Sequence, residues 1–83
     1  MRLRSEGLSA RELGGEIILL DLRSSRYLSV SGVGADIVNL LTEDRTEEEL
    51  VAAVLERYDV DETVGRHDTL AFLGQLRDAG LLE

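Results

Sequence analysis

The sequence predicts an α+β domain, a three-stranded antiparallel sheet followed by three helices in a winged helix-turn-helix-like order. Three observations carry this. β-rich and alternating apolar segments are confined to the first thirty residues. Apolar spacings of three and four with helix-cap signals fill the remainder. The connections are short, so successive elements must be neighbours in one core. With 83 residues, 43% of them apolar, the chain makes one domain over residues 1–83, with no cysteine to staple it and no proline to mark a linker.

The first strand alternates through Leu8, Ala10 and Glu12 and ends at Gly14-Gly15, a pair suited to a two-residue primed hairpin. Ile17-Ile18-Leu19-Leu20-Asp21-Leu22 is nearly continuous in apolar residues, as a central strand buried on both faces would be. Arg23-Ser24-Ser25 is a polar break. In Arg26-Tyr27-Leu28-Ser29-Val30, Leu28 and Val30 then share one face, with Tyr27 and Ser29 on the other. The third strand closes the meander and leaves an open edge.

Ser31 stands where it can cap a first helix whose apolar face is Val33, Ile37, Leu40 and Leu41. Thr46-Glu47-Glu48-Glu49 is a capping box ahead of Leu50, Val51, Val54 and Leu55, and its glutamates suit the positive end of a helix dipole. The third helix is expected from about Asp61 to Ala79. Gly80 then takes the left-handed position after the helix, which brings Leu81 onto Leu76.

Charge separates the two halves and restricts partners. Nine arginines, with no lysine, face seventeen acids for a net charge of −8. Residues 1–42 carry five of each sign, and residues 43–83 carry four arginines against twelve acids, so the second half holds the whole excess. Such a surface repels phosphate backbones and anionic headgroups, which argues against nucleic acid and membrane as partners. A winged-helix DNA-binding regulator is the alternative by topology. Its reading helix, however, would offer Arg66, Gln75 and Arg77 against Asp61, Glu62, Asp68 and Asp78. No apolar run approaches the length of a membrane span and no export leader opens the chain, so a cytoplasmic location is expected.

Catalytic chemistry finds no footing, and the expectation is a non-enzyme without metal or cofactor. His67 is the only imidazole, and Asp68 beside it points about 100° away around a helix, so the two form no dyad. Asp59, Asp61 and Thr63 begin a calcium-loop pattern that fails at Val64 and Leu70, where glycine and glutamate are needed. Gly32-Val33-Gly34 lacks the rest of a phosphate-loop fingerprint and reads as a tight strand-to-helix entry. Peptide or protein binding remains, through the open third strand. That edge has no lysine, proline or bulge to blunt it, only Arg26.

The order Leu19-Leu20-Asp21-Leu22, Arg26-Tyr27-Leu28, Gly34-Ala35, Thr46-Glu47-Glu48-Glu49-Leu50, and Asp68 to Phe72-Leu73, Leu76 and Gly80-Leu81-Leu82 resembles the PqqD-like family. These are recognition elements for the precursors of ribosomally made, post-translationally modified peptides (RiPPs). The resemblance runs from about Gly7 to Leu82 and is nearest to the stand-alone leader-binding proteins of lasso-peptide biosynthesis. Peptide chaperones for pyrroloquinoline quinone synthesis or other radical-enzyme pathways are the alternative, and an edge-strand domain with an unrelated partner is another. The sequence departs from the commoner pattern at Ser31, where many relatives have asparagine, and at Thr69, where an aliphatic residue is usual.

The resemblance implies that a precursor's leader pairs antiparallel with Arg26, Tyr27, Leu28, Ser29 and Val30, and that its apolar anchors enter a cleft between that strand and the third helix. There Phe72 and Leu76 would form the apolar wall, and Asp68 and Gln75 the polar rim. The implied further partners are a leader peptidase, which is a separate cysteine protease, and a cyclase.

Overall fold

The computed structural model describes all 83 residues, Met1–Glu83. Strands β1 (Leu8–Leu13), β2 (Glu16–Asp21) and β3 (Arg26–Ser31) precede helices α1 (Val33–Leu40), α2 (Glu47–Arg57) and α3 (Glu62–Asp78). The sheet is antiparallel in the order β1-β2-β3, so β3 is an edge strand as expected. Its register sets Leu19 opposite Leu28, Ile17 opposite Val30 and Asp21 opposite Arg26.

Local chemistry fixes most boundaries. Gly14 and Gly15 both have positive φ (58° and 83°), as a primed turn requires, and they join Leu13 to its cross-strand partner Glu16. The capping box forms in full, with the Glu49 amide donating to Thr46 Oγ1 at 3.1 Å and the Thr46 amide donating to Glu49 Oε1 at 2.9 Å. That second bond, with the Thr46 hydroxyl behind it, holds the Glu49 carboxyl below its usual range. The end of α3 closes as a Schellman motif. Gly80, with φ 73°, donates to the Arg77 carbonyl, Leu81 donates to the Leu76 carbonyl, and both leucines are buried.

Two expectations need correction. Gly32, not Ser31, is the residue before α1, and no side chain caps that helix. Ser31 is instead the last residue of β3, opposite Glu16, and the chain turns through Gly32 at φ 58° and ψ −129°, a conformation that side chains resist. Nor is β2 buried on both faces. Ile17, Leu19 and Asp21 point into the protein, whereas Leu20 on the opposite face is 37% exposed. The helices cover one side of the sheet only.

The core gathers Ile17, Leu19 and Val30 from the sheet with Ala35, Ile37, Val38, Leu41, Leu50, Val54, Leu73, Leu76 and Leu81. Leu3 joins it from outside the regular elements, bridging antiparallel to Leu82 while the Leu3 amide donates to the Leu41 carbonyl at 2.9 Å. No helix is long and apolar enough to cross a membrane.

Candidate functional site

Because β3 ends the sheet, one row of its backbone N–H and C=O groups has no strand to pair with. A cleft of about 540 Å³ runs beside that edge, between β3 and the C-terminal end of α3. Arg26, Tyr27 and Leu28 line it from the strand, Gln75, Asp78 and Ala79 from the helix, and Leu19 and Leu81 lie among the lining. Asp21, the last residue of β2, and Ser24, in the β2–β3 connection, complete it. A mixed apolar and polar lining beside an available strand edge is the usual make-up of a site for an extended chain.

The structure brings together only part of the predicted residue set. Arg26, Tyr27, Leu28 and Gln75 meet in the cleft. Tyr27 is 74% exposed, with its side chain available to a ligand. Val30 is buried in the core, and Ser29 faces outward and donates to the Glu16 carboxylate. Leu76, at 0% exposure, is a core residue supporting α3 from beneath and is not among the residues lining the cleft. Phe72 is half-buried, packed on the core, and Asp68 is exposed. Asp68 lies seven residues before Gln75 in α3, about 10 Å along the axis at 1.5 Å per residue, which puts it above the cleft. Phe72 instead reaches α1: a Cβ on Gly34 would lie 3.1 Å from its ring, so Gly34 is what lets helix, strand and ring pack together.

Asp21, Ser24, Asp78, Ala79, Leu19 and Leu81 are the lining residues that the sequence reading missed. Asp21 had left one trace, a lone carboxylate within an apolar strand. Its Oδ1 accepts from Arg4 Nη2 at 2.6 Å and from the Arg23 amide at 3.0 Å. The Arg4 hydrogen bond, helped by that amide and opposed by partial desolvation, holds the Asp21 pKa at about 2. Asp78 and Arg26 make no intramolecular ion pair, so each is free to meet a ligand. No three His, Asp or Glu side chains cluster as metal ligands would.

A family model, coenzyme PQQ synthesis protein D (PqqD), matches residues 16–82, most of the chain and all three helices. The chain belongs to the PqqD family. Among solved structures, the PqqD-family chain is similar to TbiB1 in complex with the TbiA(beta) leader peptide, at 32% identity and a TM-score of 0.89, over 100% of this chain and 95% of that one. It is also similar to lasso peptide synthetase B1 complexed with the leader peptide, at 26% identity and a TM-score of 0.83, covering 96% of this chain and 93% of the other. No curated protein matches the sequence. The likeness to the two structures extends through β1, the one strand that precedes the family match, so the whole three-strand, three-helix arrangement is that of this PqqD-type fold.

Proposed function

We propose that this protein is a non-enzymatic adaptor of lasso-peptide biosynthesis, a RiPP recognition element that binds the leader of a precursor peptide in the cytoplasm. The leader adds antiparallel to β3 as a fourth strand and lodges its apolar anchors between β3 and α3. The protein then delivers the precursor to a leader peptidase, a separate cysteine protease, and to a cyclase. One observation carries the reading. An unpaired strand edge adjoins a cleft of about 540 Å³, on a chain similar over 96% or more of its length to two proteins solved with leader peptides.

Physical magnitudes divide the labour within the site. Each backbone hydrogen bond nets on the order of 1 kcal/mol, because the free edge was already hydrated. Such bonds position the peptide but read little of its sequence. Burying an apolar anchor contributes roughly 2 kcal/mol before ordering costs. Selectivity therefore resides where Leu19, Leu28 and Leu81 meet Gln75 and Asp78. Asp68 and Phe72, higher on α3, extend the site for a leader that continues up the helix.

The family match supports a second reading, a PqqD-type peptide chaperone for a radical-SAM or other modifying enzyme, which differs in the recipient and not in the binding mode. The test is a fluorescence-anisotropy titration with a labelled peptide covering the leader half of the short precursor encoded beside this gene, against a scrambled control. Saturable binding at micromolar or tighter, lost on scrambling, is expected. No binding up to high micromolar overturns the assignment. Stimulation of leader cleavage by the peptidase, against stimulation of a radical enzyme, separates the two recipients.

A further inference from the structure

Arg4 precedes the family match, which begins at residue 16, yet its side chain makes four hydrogen bonds. Nε donates to the Glu6 carbonyl at 2.8 Å, and Nη1 donates to the Gly80 carbonyl at 2.7 Å. Nη2 donates to the Gly7 carbonyl at 3.2 Å and to Asp21 Oδ1 at 2.6 Å. The Arg4 side chain is only 13% exposed and that of Asp21 11%, so this is not a loose surface pair.

Two of these acceptors, Gly80 and Asp21, belong to opposite walls of the cleft. Gly80 lies between Ala79 and Leu81, both of which line it on the helical side. Asp21 lines it on the sheet side, opposite Arg26 of β3. The backbone around Arg4 makes the same crossing: the Arg4 amide donates to the Leu81 carbonyl at 2.8 Å, and the Gly7 carbonyl accepts from the Leu22 amide at 2.8 Å. No backbone hydrogen bond joins α3 to β3 directly. Arg4 itself is not among the lining residues.

We infer that Arg4 is a positioning residue, which fixes the separation of the cleft walls by tying Gly80 at the end of α3 to Asp21 at the end of β2. The inference rests on the leader-binding reading and assigns a role within it to the segment before β1. A planar guanidinium can reach three carbonyls and a carboxylate in fixed directions, whereas an ammonium at the same place is a point charge that cannot span them. Preorganising the cleft lowers the ordering cost of binding, so losing the brace weakens affinity although no peptide contact is removed.

The test uses the full chain as Arg4→Ala, Arg4→Lys and the near-isosteric Asp21→Asn, with two readouts. In the free protein, amide hydrogen exchange in R4A should accelerate about tenfold or more at residues 24–28 and 75–81 while residues 50–54 of α2 keep their protection. Leader affinity by anisotropy, measured well below the melting temperature, should fall about tenfold in both R4A and R4K, with D21N in between. Wild-type affinity in R4K overturns the brace, since charge alone then suffices. Unchanged exchange at the two walls in R4A and D21N also overturns it, as does accelerated exchange with undiminished affinity. A wild-type protein that binds no leader overturns the leader reading instead, and the exchange comparison still decides whether Arg4 braces the walls.

Discussion

The cleft between β3 and α3 and the smaller hollow between α1 and α2 are both part apolar and part polar, but they differ in what is left unsatisfied. The hollow, about 290 Å³, is bounded by Asp36, Asn39, Leu40, Ala53, Val54, Arg57 and Tyr58. Its charged groups have already found one another. Arg57 Nε lies 3.2 Å from Asp36 Oδ2, and the Tyr58 hydroxyl donates to the same oxygen, a bond that pushes its pKa up. Its walls are helices, whose backbone groups are spent within the helix. The β3–α3 cleft has a free strand edge, and Asp78 and Arg26 are unpaired. Unused hydrogen-bonding capacity, more than volume, is what separates the two, and the leader-binding proposal rests on it.

Blocking the edge is the strongest way to break this comparison. Along β3, adjacent residues point their N–H groups in opposite directions, so of Tyr27→Pro and Leu28→Pro one cuts the ladder to β2 and the other obstructs only the free edge. The edge-blocking variant should fold by circular dichroism and lose leader binding by at least about tenfold, given net hydrogen bonds near 1 kcal/mol each plus the steric clash of the ring. A folded variant with undiminished affinity would rule out strand addition. The next largest effect is expected from Phe72→Ala, which removes a half-buried ring joined to α1 at Gly34. It should lower unfolding free energy by about 3 kcal/mol in urea titrations, and weaken leader binding severalfold in the protein that remains folded. Loss of stability with intact affinity would confine the peptide to the lower cleft around Gln75 and Asp78.

What was legible in the sequence follows a physical line. The Gly14-Gly15 hairpin, the Thr46–Glu49 capping box and the Gly80 Schellman end are short-range hydrogen-bonding devices, so their residues announce them. The open β3 edge follows from element order alone. Burial on one face of β2 was not legible, because Ile18, Leu20 and Leu22 are as apolar as Ile17 and Leu19. Only the placement of the helices decides which set is covered. On the helical side of the cleft Gln75 was legible, and the rest was not, for the same reason. Helical spacing puts Phe72, Gln75 and Leu76 on adjoining faces, but how α3 is rotated and how far it slides along the sheet are set by long-range packing. That packing turns Leu76 inward and brings Asp78, Ala79 and Leu81 to the cleft instead. Arg4 was invisible because three of its four acceptors are carbonyls, which carry no residue identity.

Acid sharpens the comparison further, because the larger cleft has a titrating group in its sheet-side wall. Asp21 has its pKa lowered from 3.8 to about 2 in the folded protein, first by the hydrogen bond from Arg4. A carboxylate with a depressed folded pKa contributes stability that is complete above its unfolded value and lost as pH falls through the folded one. The Asp21 contribution should therefore be intact above about pH 4 and disappear toward pH 2. Urea midpoints measured across that window should fall less steeply in Asp21→Asn than in the wild type. Equal slopes would mean that the Arg4–Asp21 contact is absent in solution.

The smallest expected effect comes from the hollow. Asp36→Asn removes the charge that Arg57 and Tyr58 share, while an amide oxygen can still accept from the hydroxyl. Arg57 is largely exposed, so the lost attraction is screened and the unfolding midpoint should move little. Leader affinity should not move at all, since no residue of the hollow lines the β3–α3 cleft. The raised Tyr58 pKa should return toward its ordinary value in D36N, which a spectrophotometric tyrosine titration reads directly and which verifies that the network was broken. Unchanged leader binding alongside that shift would show that polarity beside an apolar hollow is not enough to make a binding site. A fall in affinity would instead mean that α1 and α2 communicate with the strand edge, through Val30 and Gly34 where α1 meets β3.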